Sequence, residues 1–215
     1  ATNGTTTSGT AAIKIQDPNA VMTVSDAATV AQFNTIDDAT SSAVVLAGGV
    51  SDTAAAYAAT NGTTTSGTAA IKIQDPDAVM TVSDAANVAQ FNTIDDATSS
   101  AVVLSGGLTD EAVNFAATNG TATSGLTNST AQDTNVAIVI SGGDAPNVAQ
   151  LNTIGAATAG TVTASITGTA ADLDGLTTAS TDVITATVSN AATVAQFNLI
   201  NAATSVAVVL AGGVS

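Results

Sequence analysis

The sequence predicts an α/β repeat solenoid: coils recurring with a period of 22 each supply a strand and a helix, and the strands stack in a parallel sheet on one side, with an all-β solenoid as the alternative. Three observations lead there: an internal duplication, a shorter period beneath it, and a composition that allows only a thin core. Residues 1–50 and 59–108 match at 46 of 50 positions, differing at Asn19/Asp77, Thr29/Asn87, Ala47/Ser105 and Val50/Leu108, so the chain repeats with a period of 58. A diverged third repeat opens at Ala117, and Val-Ala-Gln-Phe/Leu-Asn recurs from Val30, Val88, Val148 and Val194. Fixed periods of this size mark stacked architectures, in which one repeat cannot bury its apolar face alone.

The last apolar residue of each β-like run falls at Val24, Leu46, Val82, Leu104, Ile140, Ile166, Val188 and Leu210, with spacings of 22, 36, 22, 36, 26, 22 and 22. One plain coil and one coil enlarged by fourteen residues together make up the longer period. The expectation is one array of about eight coils over 1–215: a duplicated pair, 1–58 and 59–116, followed by diverged coils over 117–215. At 45% hydrophobic residues the chain is too apolar to stay disordered. With four Phe, one Tyr, two Met and no Trp, its core must be built from Ala, Val, Ile and Leu. Thin cores suit quasi-one-dimensional folds.

The enlarged coils come first along the chain. They carry Asn-Gly-Thr-Thr-Thr-Ser-Gly-Thr and then both lysines, Lys14 and Lys72. The alternation in Ile13-Lys14-Ile15 and Ile71-Lys72-Ile73 predicts an extra strand, hairpinned with Val21 to Val24 or Val79 to Val82 into a side ridge; a plain surface loop is the other reading. In a plain coil, Ile184-Thr185-Ala186-Thr187-Val188 alternates as a half-buried strand does. Ser189-Asn190 then offers an N-cap, and Ala191 to Thr204 reads as a helix with Ala191, Val194, Phe197 and Ile200 on one stripe. Their three-residue spacing also allows a tighter 3₁₀ turn. Five strand residues span about 17 Å, and eleven or twelve helical residues at about 1.5 Å each return the same distance. The pairs Gly48-Gly49, Gly106-Gly107, Gly142-Gly143 and Gly212-Gly213 each follow a strand and predict exit turns with positive φ or close backbone approach. No phosphate-loop pattern completes them.

Charge limits the partners. Sixteen Asp, Glu111, two Lys and no Arg give a net charge of -15, which repels nucleic acid and anionic lipid alike. No apolar run is long enough to cross a bilayer. Without Cys, His or Arg, a catalytic site would have to be assembled from Asp, Ser, Thr, Tyr57 or a lysine, and no Ser or Thr has a local base pattern, so no enzyme is expected. The neighbours Asp37-Asp38 and Asp95-Asp96 read as solvated helix ends. No signal region opens the chain, and the closing Val214-Ser215 matches Val50-Ser51, which runs on into Asp52-Thr53-Ala54; the chain is therefore expected to be an excerpt of a longer array.

No cofactor is expected, with calcium as the alternative because its ligands are carboxylate and carbonyl oxygens. The metal candidates are Asp17, Asp75 and Asp77 in the Gln-Asp-Pro-Asn/Asp segments, with Asp26 and Asp84 at the helix starts that follow. The competing assignment makes Asp26 and Asp84 N-caps and places Asp17 and Asp75 in turns beside proline. Sequons at Asn3, Asn61, Asn119 and Asn128 and the Thr/Ser runs offer glycosylation sites. The pairs Thr161-Val162-Thr163 and Thr185-Ala186-Thr187 suggest the Thr ranks of an ice-binding solenoid as a minor alternative, Thr being also a plain strand former.

The segment from Val24 to Ile36, Val-Ser-Asp-Ala-Ala-Thr-Val-Ala-Gln-Phe-Asn-Thr-Ile, alternating with Val/Ile-Thr-Ala-Thr-Val strands, resembles the tandem repeats of very long secreted cell-surface proteins of marine cyanobacteria and related bacteria. The resemblance implies export by a type I route, an extracellular or cell-surface location, and a part in surface layers, fibres, adhesion or protection; it carries over no catalytic residue. The leucine-rich pattern of similar coil length is missing. The expected function is a structural segment forming a stiff rod, with a calcium-dependent adhesin as the alternative. Its expected partners are neighbouring repeats or identical subunits head to tail, and surface glycans, with no nucleic acid and no membrane insertion.

Overall fold

A computed structural model describes residues 15–143 and 145–215. It is an α/β chain of alternating strands and helices, and every strand ladder among the described residues is parallel. The chain divides into two compact units, Ala1–Gly106 and Gly107–Ser215. The division falls between the two glycines of a Gly-Gly pair and not at a repeat boundary.

In the first unit β1 (Met22–Thr23) leads through α1 (Val30–Asp37) to β2 (Val44–Val45), with which it pairs. Next come β3 (Val50–Asp52), α2 (Ala54–Tyr57), α3 (Ser66–Gln74), β4 (Met80–Val82), α4 (Val88–Asp95) and β5 (Val102–Leu104), forming a sheet of order β3-β4-β5. The second unit runs β6 (Leu108–Asp110), α5 (Ala112–Phe115), α6 (Ser124–Gln132), β7 (Ile138–Ile140), α7 (Val148–Ala157), β8 (Val162–Gly168), α8 (Ala170–Leu173), β9 (Val183–Val188), α9 (Val194–Ala202) and β10 (Val209–Leu210). Its five-stranded sheet keeps chain order from β6 to β10. A parallel pair needs a crossover of a dozen or more residues, and the helices supply it.

The register corrects the sequence reading of the enlarged coil. Three plain coils pair as expected, Met22 with Val44, Met80 with Val102 and Thr187 with Val209, each one short period apart, but Val188 pairs with Gly168 and not with Ile166, so the coil between β8 and β9 is two residues shorter than the sequence spacing predicts. Val82, however, pairs with Asp52 and not with Leu46, and Ile140 pairs with Asp110 and not with Leu104. The longer spacing is a six-residue step round a Gly-Gly corner followed by a coil of thirty, so the insertion adds eight residues rather than fourteen. Glycine is required at the corner for two separate reasons. A Cβ on Gly48 would enter the backbone of Asp26, and Gly49 holds φ at 72° while its chain lies against the Val79 carbonyl.

The inserted segment is not a strand. Ile71, Lys72 and Ile73 lie inside α3, where Thr68 and Ile71 are buried and Ile73 is 80% exposed. Residues two apart share one face of a strand but lie on nearly opposite sides of a helix, so Ile71 faces the core and Ile73 the solvent. The matching Ile13-Lys14 lies outside the described residues. Between α2 and α3 the chain makes a tight turn closed by an antiparallel bridge from Ala58 to Thr64, and Ala116 to Ala122 repeats it.

The helix start also moves. The α9 helix begins at Val194 and not at Ala191, because Ala192 is extended and bridges Val214. Thr193 is the N-cap, and Thr193 and Gln196 form a capping box in which each side chain takes the other's backbone N–H. Thr29 with Gln32, Asn87 with Gln90 and Asn147 with Gln150 do the same, which accounts for the Gln of Val-Ala-Gln-Phe/Leu-Asn. Asp37-Asp38 and Asp95-Asp96 close α1 and α4 as the sequence predicts, but only Asp38 and Asp96 are solvated; Asp37 and Asp95 are half-buried. Tyr57, Phe33, Phe91, Phe115 and Met80 are fully buried, whereas Met22 and Phe197 are half-buried.

Candidate functional site

The repeated polar residues are the candidate functional groups, and the structure spends most of them between one coil and the next. Asp84 does not cap its own helix. Its Oδ1 accepts the Ala54 N–H at 2.6 Å, at the first turn of α2 in the coil before. Asn190, at the same place in the last coil, accepts the Ala170 N–H at 2.7 Å at the first turn of α8. Asp52 Oδ2 takes the Val30 N–H at 3.0 Å, and Asp75 Oδ2 takes the Leu46 N–H at 2.6 Å. These oxygens satisfy donors that a helix start or sheet edge would otherwise leave unpaired.

The metal candidates are thus dispersed. Asp17 holds the Asn19 N–H at 3.2 Å in a turn at Pro18. Asp77 accepts the Ser99 hydroxyl, and in the preceding repeat Asn19 accepts the Ser41 hydroxyl at 2.5 Å. Asp26 is exposed, with its backbone against Gly48. Asp75 and Asp84 serve as described, so the structure brings none of the five into a shared cluster. Among the described residues, no three His, Cys, Asp or Glu side chains group closely enough to hold a metal ion. At two of these positions an uncharged amide makes the same hydrogen bond elsewhere in the chain, which identifies an acceptor, not a charge, as the requirement.

A second set went unread in the sequence. Asn87, Gln90 and Thr93, three residues apart along α4, donate to the carbonyls of Thr60, Ala58 and Gly62 at 2.7, 2.9 and 2.5 Å. Asn147, Gln150 and Thr153 bind Thr118, Ala116 and Gly120 identically, at 2.9, 2.8 and 2.6 Å. The turn of the enlarged coil is therefore clamped by the next helix. The signal was the pattern Asn-x-x-Gln-x-x-Thr at 87 and 147; the last coil, which ends α8 at Asp174-Gly175, has Leu199 where the third donor would be. After α1, α4, α7 and α9 a Thr hydroxyl also binds a carbonyl of the preceding coil: Thr40 to Ala20, Thr98 to Ala78, Thr158 to Val136 and Thr204 to Ile184, at 2.5, 2.6, 2.7 and 2.8 Å.

Titration is perturbed at few of these groups. Tyr57 is buried with its hydroxyl donating to the Thr81 carbonyl at 3.2 Å; burial, reinforced by the nearby Asp52 charge, pushes the phenol's pKa up, so it stays neutral. Burial, with Asp38 beside it, raises the Asp37 carboxyl against a smaller opposing pull from a Gln74 hydrogen bond. One Asp37 oxygen is buried without a hydrogen-bond partner. Asp172 is held below its ordinary value by hydrogen bonds from the Thr169 side chain and backbone.

Of the sequons, Asn61 and Asn119 sit exposed at the turns, each accepting the N–H two residues on at 3.0 Å, and Asn128 is exposed on α6. Asn3 lies outside the described residues. The Thr-x-Thr pairs are out of step by one rank: Thr163 meets Val183, Ser165 meets Thr185, and Thr167 meets Thr187. No described helix is long and apolar enough to cross a membrane.

No family model, curated protein or solved structure matches this chain.

Proposed function

We propose that this chain is a structural repeat segment of a large secreted or cell-surface protein, a solenoid of strand-helix coils that makes a stiff rod, fibre or surface-layer element. One observation carries the reading: the polar residues that recur with the repeat are committed to joining coils. Asp52, Asp75, Asp84, Asn190 and the two Asn/Gln/Thr triads each bond a backbone group of a neighbouring coil. A binding or catalytic site needs side chains left over after the fold is satisfied; here the recurring ones serve cohesion. Strand order that follows chain order, β6 to β10, supports the solenoid, and the exposed Asn61 and Asn119 turns would present glycans or contacts once in every long repeat.

The test is circular dichroism with thermal melting, in calcium and again in excess chelator, beside small-angle scattering. An elongated particle with mixed helix and strand signal and one melting temperature in both buffers is the expected result. A large loss of order in chelator would replace this reading with a calcium-dependent adhesin, and a spectrum without helix would remove the fold on which it depends.

A further inference from the structure

Most of the repeated asparagine side chains are spent inside the fold. Asn87, Asn147 and Asn152 donate their amides to the carbonyls of Thr60, Thr118 and Gly175, and Asn114 donates to Asp110. Asn61 and Asn119 are different. They lie exposed in the tight turns between α2 and α3 and between α5 and α6, and only their side-chain oxygens are engaged, each by the N–H two residues on, from Thr63 and Thr121, at 3.0 Å. No protein group among the described residues takes a hydrogen bond from either Nδ2. Both turns are held from outside: the Gly62 and Gly120 N–H groups donate to the Ala59 and Ala117 carbonyls at 2.8 Å, and the Thr93 and Thr153 hydroxyls hold the Gly62 and Gly120 carbonyls.

The turn itself accounts for two residues of Asn-Gly-Thr. A side-chain oxygen that takes the N–H two residues on calls for Asn, and the positive φ of Gly62 and Gly120, 80° and 84°, calls for Gly. It does not account for the threonine. Thr63 and Thr121 are exposed, and neither hydroxyl bonds a protein group among the described residues. Asn-Gly-Thr nevertheless opens each long repeat, at 3, 61 and 119, and stands unchanged in the third although Ile71-Lys72-Ile73 has become Ser129-Thr130-Ala131. Asn128-Ser129-Thr130 has the same glycosylation pattern in the opposite circumstance. It lies inside α6, where Ser129 is fully buried and the Thr130 hydroxyl donates to the Leu126 carbonyl at 2.9 Å. The N–H two residues after Asn128 belongs to the helix ladder, so a turn at Asn128 requires that α6 unwind.

We propose that Asn61 and Asn119 are acceptors of N-linked sugar in the folded chain and that Asn128 is not. The reaction is a glycosyl transfer from a glycosyl diphosphate. Nδ2 attacks the anomeric carbon, a C–N bond forms as the bond from that carbon to the diphosphate breaks, the diphosphate leaves with the electron pair, and one Nδ2 proton passes to the transferase. Each turn offers the nucleophile and the threonine hydroxyl that such enzymes read together, already exposed and fixed, and the glycine between them adds no bulk. The inference rests on the reading of the chain as a secreted or cell-surface segment and names what its turns would carry.

The test incubates the whole chain with UDP-glucose and a soluble N-glycosyltransferase that reads Asn-x-Ser/Thr, and assigns the sites by peptide mass spectrometry. One hexose is expected on Asn61 and one on Asn119, each gained at least tenfold faster than on Asn128. A peptide of residues 122–134, too short to hold α6 by itself, takes the hexose at Asn128, which shows that the fold and not the local sequence withholds that site. Thr63→Ala and Thr121→Ala each lose the hexose at their own turn with an unchanged melting temperature, an outcome that a structural role for the hydroxyl would not give. A chain that gains no hexose at Asn61 and Asn119, or gains it at Asn128 as fast, overturns the proposal. If that chain still shows mixed helix and strand signal by circular dichroism, the structural reading survives without it; a helix-free spectrum removes both.

Discussion

The stretches 43–51 and 207–215 share one sequence and the same inner pairing, yet one is interior and the other is surface. In the first, Val44, Leu46, Gly49 and Val50 are buried; in the second, the corresponding Val208 and Leu210 are half-exposed and Gly213 and Val214 are exposed. Local sequence sets the corner, because both Gly49 and Gly213 hold positive φ. Burial is set by the coil that follows. In repeat architectures intrinsic and neighbour contributions to stability separate in this way, and here they separate within identical residues.

Glycine substitutions break the comparison most sharply. Gly48→Ala pushes a methyl group into the Asp26 backbone, which cannot move aside as a side chain would; a loss of about 3 kcal/mol is expected in denaturant titration. Gly49→Ala and Gly213→Ala come next. Both incur the left-handed strain of about 1–2 kcal/mol, but Gly49→Ala also meets the Val79 carbonyl, whereas Gly213→Ala meets nothing. The first should therefore cost about 1–2 kcal/mol more, measured at concentrations where the chain is monomeric. Equal effects would mean that the outer contact adds nothing.

Smaller effects sharpen the account of the polar contacts. Tyr57→Phe loses the bond to Thr81 and should cost about 1 kcal/mol, a change that the next repeat already contains as Phe115. Asp84→Asn should shift stability by less than about 0.5 kcal/mol, because Asn190 makes the same cap, while Asp84→Ala should lose about 1 kcal/mol. A calcium-dependent fall in melting temperature for Asp84→Asn would contradict the acceptor role. Asp37→Asn has the smallest expected effect, and it depends on pH. Burial raises the Asp37 pKa in the fold above its ordinary 3.8. The stability held by the protonated form is therefore full below that ordinary value and is lost as pH rises through the raised one. Melting against pH should show the variant lacking this decline and slightly more stable at neutral pH.

Much of the fold was legible in the sequence. The strand read at Ile184 to Val188 is β9 but for one residue, the Gly-Gly corners hold positive φ, and the paired aspartates end α1 and α4. The six-residue step was not legible, because β3 is Val50-Ser51-Asp52, with one apolar residue and no alternation to mark it as a strand. Nothing local told Val82 to stack on Asp52 in place of Leu46. The start of α9 was missed because Ser189-Asn190 is a good capping pair, and its Asn oxygen turns out to be engaged at Ala170 in another coil. The metal candidates were gathered by acidic spacing along the chain, which says nothing of the donors met across it, as when Asp75 and Asp84 take the Leu46 and Ala54 N–H groups of other coils.

Each parallel ladder joins a strand to the one a single coil later, as Ala164 to Ile184 and Asp52 to Val82, so within a sheet the hydrogen bonds point the way the strands succeed one another. Tension applied between the first and last strands of the β6–β10 sheet would load those ladders one after another, and the edge strand would peel before its neighbour is disturbed. Each peeled plain coil frees about 75 Å of chain. A sheet built this way yields to pulling in steps of nearly constant length and can absorb mechanical work without a single catastrophic rupture.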